Sequence, residues 1–134
     1  MSKTSTLYLL FNHTLTPHQE EDAYTNLPID TINTFPKELL LLWGNIPVED
    51  ENLSNYLKPI ESYIISHLKP GDYLFVQGDA GATYAIVELA KQQKITPIYA
   101  TTKRVSSEKV IDGKPVKTSI FSHVRFREYQ ALQS

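Results

Sequence analysis

The sequence predicts an α/β fold: an open, mostly parallel sheet with helices on both faces and a C-terminal antiparallel β-hairpin. Three observations predict it. Strand-like apolar runs alternate with helical patterns over residues 1–100, in the order βαβαβαβ. Two of these runs, Leu7–Phe11 and Tyr73–Val76, are apolar without alternation, as strands covered on both faces are. Toward the C-terminus the pattern changes: Lys109-Val110-Ile111, Asp112-Gly113 and Lys114–Phe121 read as two strands joined by a two-residue turn.

The elements follow in order. Leu7-Tyr8-Leu9-Leu10-Phe11 is the first strand and ends at Asn12-His13-Thr14. Thr16 has the character of a helix N-cap, with Pro17 at the first helical position and Gln19 three residues after the cap, and the helix runs to about Asn26. Glu20, Glu21 and Asp22 lie in its early turns, where the helix dipole favours negative charge. Thr31–Phe35 is a weak second strand. Pro36 opens a helix carrying Leu39-Leu40-Leu41-Leu42-Trp43, interrupted by Gly44-Asn45-Ile46-Pro47. A longer helix is expected over Leu53–Leu68, with Leu53, Tyr56, Leu57, Ile60, Ile64 and Leu68 at helical spacing and Pro59 bending or splitting it. Lys69-Pro70-Gly71-Asp72 is a turn. Tyr73–Val76 is the clearest buried strand, Gln77–Thr83 a loop, Ala82–Gln93 a helix, and Ile95–Ala100 a strand with Pro97 near its start. His123-Val124-Arg125-Phe126-Arg127 alternates as a half-exposed strand does.

A chain of 134 residues fits one domain, residues 1–134, and shows no internal repeat, linker or low-complexity segment. The absence of cysteine excludes disulfides and thiolate zinc sites and suits a reducing cytosol. Met1-Ser2-Lys3-Thr4-Ser5-Thr6 leads into only five apolar or aromatic residues, too few for a signal segment or a membrane span. The expectation is a soluble cytoplasmic protein with no membrane partner. Charge is unevenly spread. Residues 1–100 hold six Lys and Arg against twelve Asp and Glu, a balance of −6, while residues 101–134 hold seven against three, a balance of +4. Such asymmetry marks either an anion-binding face or a solvated basic hairpin that offsets an acidic body.

In open α/β sheets ligands bind beyond the carboxyl ends of the strands, where strand order reverses. Three segments leave such ends: Asn12-His13-Thr14, Gln77–Thr83 and Thr101-Thr102-Lys103-Arg104. If the first and third strands are neighbours, the first two segments face each other. In the second segment Gly78 and Gly81 permit positive φ and close approach to the backbone, and the loop runs into a helix whose free N–H groups attract anions. It matches neither a Walker loop nor the dinucleotide fingerprint, and two glycines at such a turn also serve purely structural ends. Asp79 can repel a phosphate, cap the helix or hydrogen-bond a ribose. Thr101 and Thr102 add hydroxyls, and Lys103 and Arg104 add cations suited to phosphate oxygens. Asn12 adds an amide, and His13 an imidazole that transfers protons near neutral pH or is simply exposed. His18, His67 and His123 share no metal-ligand spacing with His13, so no metal and no cofactor are expected. Trp43 fits a core position better than an adenine platform, and Arg125 and Arg127 share one strand face.

These residues also resemble a known family. Phe11-Asn12-His13 with Leu15-Thr16, Glu21-Asp22-Ala23, Pro36-Lys37-Glu38-Leu39 with Leu42-Trp43, and Asn45-Ile46-Pro47 are similar to a small group of type III CRISPR-associated proteins, the Csx-twenty family. So are Gln77-Gly78-Asp79 with Gly81-Ala82-Thr83-Tyr84, Pro97-Ile98-Tyr99 with Thr101-Thr102-Lys103-Arg104, and His123-Val124-Arg125-Phe126-Arg127. Their order and spacing carry the resemblance over nearly the whole chain. It implies a Rossmann-like fold related to sensor domains for cyclic oligoadenylates. It also implies a ring nuclease that binds and cleaves this RNA second messenger, cyclic tetra-adenylate above all, and so switches the antiviral response off. A homodimer with the ring across its two-fold axis follows, with no DNA partner expected.

On this view cleavage is metal-independent transphosphorylation by a ribose 2′-OH. His13 serves in proton transfer, Lys103 or Arg104 with amides near Gly78 and Gly81 stabilises the phosphorane, and Asn12 and Thr102 orient ribose or phosphate. Gln77, Asp79, Ala82, Thr83 and Thr101 complete the ligand contacts. The rival readings are a non-catalytic sensor or sponge for the same messenger, and a partner-binding protein whose basic C-terminal hairpin meets linear RNA or another CRISPR component.

Overall fold

The computed structural model describes residues 5–132. The expectation drawn from Met1–Thr4 lies outside the described residues. The elements are β1 (Ser5–Leu10), α1 (Pro17–Asn26), β2 (Ile29–Thr34), α2 (Lys37–Trp43), α3 (Lys58–His67), β3 (Tyr73–Val76), α4 (Ala80–Gln92), β4 (Thr96–Ile111) and β5 (Lys114–Glu128). The five strands form one sheet in the order β2-β1-β3-β4-β5. The first three pairings are parallel and β4–β5 is antiparallel. The sheet is therefore mixed and mostly parallel, ending in an antiparallel hairpin. Among the described residues no helix is long and apolar enough to cross a membrane.

Strand side chains point alternately to opposite sides of a sheet, and β1 shows what that does here. Leu7 and Leu9 join a cluster with Ala23, Ile29, Phe75, Ile98 and Phe126. Leu10, with Tyr8 at its edge, joins another that holds Trp43, Ile60, Ile64, Leu74, Val76 and Ile86. Both clusters are almost fully withdrawn from water. A fully buried Val, Leu, Ile or Phe stabilises the fold by about 1.5–3 kcal/mol relative to exposure. Buried Asp72 ties the sheet to the turn before β3: one carboxylate oxygen accepts from the Thr6 N–H at 3.0 Å and the other from the Lys69 N–H at 2.9 Å.

The start of α1 is as the sequence predicts. Thr16 Oγ1 accepts from the Gln19 N–H at 3.1 Å, and Gln19 Oε1 accepts from the Thr16 N–H at 2.9 Å, a reciprocal capping box. The long helix expected from Leu53 begins instead at Lys58, with Pro59 in its first turn. Proline lacks an N–H and is tolerated in a helix's first turn, so the helix starts one residue before the proline expected to bend it. Leu53, Tyr56 and Leu57 still pack against the core from the preceding turns. Helix α4 begins at Ala80, two residues before its expected start.

The largest difference lies in β4. The expected strand Ile95–Ala100, the expected exit Thr101–Arg104 and the first hairpin arm are one strand of 16 residues, Thr96–Ile111. Its partner β5 merges the second arm with His123–Arg127. The register with β3 ends at Ile98, whereas pairing with β5 continues to Ile111↔Lys114. Beyond Ile98 the backbone groups of β4 that face β5 keep their hydrogen bonds, and this one-sided pairing holds the chain extended through Thr101. The turn itself is as predicted: Asp112 and Gly113 both have positive φ, 50° and 75°, which a two-residue hairpin turn of the primed type demands.

Candidate functional site

Strand order reverses between β1 and β3, which are hydrogen-bonded neighbours. Their carboxyl ends therefore face each other, and the first two candidate segments meet. A cavity of about 250 Å³ lies there, lined by Phe11, Asn12, His13, Gln77 and Gly78. A second cavity of about 490 Å³ shares Phe11, Asn12 and His13 and extends to Leu15, Glu20 and Tyr24. Phe11 anchors the β1 exit edge-on against Phe75, with centroids 4.6 Å apart. Asn12, His13 and Thr14 are exposed beyond it.

The β3 exit is held from three sides. Tyr129 Oη donates to the Val76 carbonyl at 2.6 Å, and Trp43 Nε1 donates to the Gln77 carbonyl at 2.8 Å. Gln77 Oε1 accepts from the Ala100 N–H at 2.8 Å. The Gln77 side-chain carbonyl is thus engaged in joining β3 to β4. Gly78 is required for a different reason than expected. Its φ is not positive, and a Cβ there would stand 2.6 Å from Trp43 Nε1 and 2.8 Å from Cε2. The close approach that glycine permits is to the buried indole. Gly44 makes the same allowance for Asn12, whose Nδ2 would lie 2.6 Å from an added Cβ.

The remainder of the second segment belongs to α4. Asp79 is its N-cap, with Oδ2 accepting from the Ala82 N–H at 3.0 Å. This carboxylate occupies the position an anion would take at the helix N-terminus. Gly81, also without positive φ, lies in the first turn. Ala82 and Thr83 are buried, and Thr83 Oγ1 has no hydrogen-bond partner. These two face the packed side of α4, which withdraws their side chains from a ligand.

Thr101–Arg104 is not an exit loop but part of β4, and its residues alternate across the ribbon. Thr101 Oγ1 is engaged by Arg125, donating to its carbonyl at 3.0 Å and accepting from its N–H at 3.3 Å. A register shift at Thr101/Thr102 pairs Thr102 with His123, Lys103 with Ser122 and Arg104 with Phe121. Paired residues share a face and successive residues do not. Lys103 and Arg104 therefore emerge on opposite faces. Arg104 donates through Nε and Nη2 to Ser119 Oγ at 3.1 and 3.0 Å. Arg125 and Arg127 do share a face, as their partners Thr101 and Tyr99 require. Arg127 Nη1 donates to Tyr99 Oη at 3.1 Å.

The sequence reading missed a polar cluster at the ribbon's base. His123 Nε2 lies 2.6 Å from Asp22 Oδ2, with the two side chains 4% and 12% exposed. The His18 ring stands edge-on to His123 at 5.3 Å. Burial acts to raise the Asp22 pKa, but hydrogen bonds from Asn26 and His123 and the charges of His123 and His18 outweigh it and hold the carboxyl below its ordinary range. His123 Nδ1 is buried without a hydrogen-bond partner. No local spacing signals a pair that is 101 residues apart.

Comparison with known proteins places the chain. It matches the family described as "Uncharacterized protein MJ1673 family" over residues 5–127. A protein of Methanocaldococcus jannaschii, "Uncharacterized protein MJ1673", is 46% identical over 123 residues, which cover 92% of this chain and 95% of that protein. No solved structure matches the chain. The agreement spans every strand and helix that builds the rim, and the chain belongs to the MJ1673 family.

Proposed function

We propose that this chain is a cytoplasmic ring nuclease that binds a cyclic oligoadenylate, cyclic tetra-adenylate foremost, and cleaves it without a metal, switching off type III CRISPR signalling. The observation that carries the reading is the cavity at the strand-order reversal, with Asn12 and His13 on one wall and Gln77 and Gly78 on the other. The first four strands follow an order common in doubly wound sheets, and Ala23 of α1 packs in one core cluster while residues of α2, α3 and α4 pack in the other. That arrangement supports a Rossmann-like description with helices on both faces.

In the proposed reaction the ribose 2′-oxygen bonds to the adjacent phosphorus and the bond to the 5′-oxygen breaks. The 2′-OH gives up its proton and the leaving oxygen gains one, so the products end in a 2′,3′-cyclic phosphate and a 5′-hydroxyl. His13, exposed on the cavity wall, is the group for proton transfer, and the Asn12 amide orients the ribose or phosphate. Thr102 aids orientation. Lys103 and Arg104 diverge, so a single subunit brings one of them at most to a given phosphate. A homodimer with the ring on its two-fold axis would supply the second set.

Chromatography of cyclic tri-, tetra- and hexa-adenylate after incubation with the chain in EDTA tests the reading. Conversion of the tetra-adenylate to linear products is the expected result, and His13→Ala should slow it by about 10²-fold. Turnover that EDTA abolishes would refute the metal-free route.

One observation favours a second reading, binding without cleavage. The smaller cavity has no acid–base side chain besides His13 in its lining, and the Asp79 carboxylate already fills the α4 N-terminus. Tight binding of a ring that stays intact through long single-turnover incubation would establish that reading.

A further inference from the structure

Beyond Lys103 the β4–β5 hairpin has lost its neighbour on the β3 side and continues as a two-stranded ribbon. Its run over residues 103–111 extends about 30 Å past the carboxyl edge of the sheet at about 3.3 Å per residue. Its register puts Val105 directly opposite Ile120, with Lys109↔Val116 and Ile111↔Lys114 farther along the same face. Val105, Ile111, Val116 and Ile120 are all exposed. An isolated two-stranded hairpin is marginal in water, so an apolar stripe along such an arm calls for a cover.

Charge indicates which cover. Residues 103–122 hold five Lys and Arg against two Asp and Glu, while residues 1–100 carry a balance of −6. On the apolar face the stripe is flanked by Lys103, Lys109 and Lys114. The acidic body has a cavity of about 500 Å³ with complementary character. Partly exposed Leu53 and Leu89 give it apolar walls over buried Leu57 and Ile86, and Glu51 and Glu61 line it, next to exposed Glu49 and Asp50. The cation in its lining, Lys58, is bridged to Glu61 at 3.4 Å.

We propose that the Val105–Ile120 face of one ribbon docks into the groove formed by residues 51–54, α3 and α4 of a second copy of this chain, so that two protomers exchange arms. Two ribbons packed on each other would bury the same apolar stripe but would oppose like charges; ribbon on body does not. Two-fold symmetry makes the contact twice per dimer, and every substitution in it counts twice. The inference is independent of any nucleotide ligand and is tested without one.

Sedimentation equilibrium on the full chain decides it. The expected state is a dimer. Lys109→Glu and Glu51→Lys, both at exposed positions, should each weaken self-association by about tenfold or more. An equimolar mixture of the two variants should recover the original affinity. In that heterodimer one interface carries both substitutions, so its two charges are exchanged and still attract, and the other keeps the native pairing of Lys109 with Glu51. Ile120→Asp should abolish the dimer while leaving the circular dichroism spectrum unchanged. A dimer indifferent to Ile120→Asp, or a mixture no tighter than either variant alone, would overturn the arm exchange with the nucleotide reading left standing; a monomeric chain would overturn the arm exchange and leave the nucleotide reading to a dimer formed only on the ring.

Discussion

The rim at the ends of β1 and β3 and the ribbon of β4 and β5 both display polar residues on the carboxyl side of the parallel strands, but they are held by opposite means. At the rim, core side chains reach up to engage the backbone: Trp43 and Tyr129 donate to the carbonyls of Gln77 and Val76. Gln77 in turn accepts from Ala100. Along the ribbon the strands pair with each other, and most side chains face solvent. The lesson is that a polar residue at a strand end is available to a ligand only if the scaffold has not already used it. Asn12 and His13 remain exposed; Gln77, Asp79 and Thr101 are engaged by backbone.

The sharpest way to break the contrast is to remove the rim's support. Trp43→Ala should destabilise the chain by about 3–5 kcal/mol in urea unfolding, since it empties a core site and orphans the Gln77 carbonyl. Gly78→Ala, which drives a methyl group into the indole, should cost about 1–3 kcal/mol. A fully wild-type unfolding midpoint for both would show that the indole does not support the β3 exit.

Asp22 and His123 sit where the two regions join, α1 to the ribbon's base. Asp22→Asn should cost about 1–3 kcal/mol at neutral pH, the scale of a hydrogen bond to a charged group. The sign of its pH dependence is determined. A carboxyl held below its ordinary value of 3.8 stabilises the fold above that value and loses the contribution as pH falls through its lowered one. The gap between wild type and Asp22→Asn should therefore close on acidification below about 3.8, measurable by thermal melts at stepped pH. A gap that widens in acid would contradict this.

Asp79→Asn sharpens the comparison at the rim. Asparagine caps a helix about as well as aspartate, so stability should change by only about a few tenths of a kcal/mol. With the negative charge gone, the capped α4 N-terminus no longer repels an anion nearby, and cyclic tetra-adenylate should bind several-fold more tightly in titration calorimetry. Weaker binding would assign Asp79 to the ligand instead. The smallest effect belongs to the ribbon. Ser119→Ala removes the exposed acceptor of Arg104 and should shift stability by no more than about 0.5 kcal/mol.

Much of the fold is legible in the residues. The capping box at Thr16 and Gln19 and the turn at Asp112-Gly113 are local devices, each written within a few residues, and both occur as predicted. The meeting of Asn12-His13 with Gln77-Gly78 rests on an adjacency of β1 and β3 that the sheet does contain. Less legible is Thr101–Arg104. Its composition suits a strand exit and a strand interior equally, and the choice depends on whether β5 offers partners. For Gly78 the sequence points to the correct property, room for close approach, but toward the wrong neighbour, because Trp43 lies 35 positions away in the chain.

By itself the sequence determined the order of strands and helices through β3 and α4, that those strands run parallel, and that a basic C-terminal hairpin follows an acidic body, but not that Thr101–Arg104 continues as strand or that α3 starts only at Lys58. These depend on periodicity, caps and turns, whose physics acts over a few residues. Tertiary structure alone decided which polar groups stay free. Trp43 claims the Gln77 carbonyl, Asp22 claims His123, and β5 keeps Lys103 and Arg104 on opposite faces of one strand. Each of those outcomes is a competition for hydrogen bonds and space among residues distant in sequence, so it is settled only when the sheet brings them together.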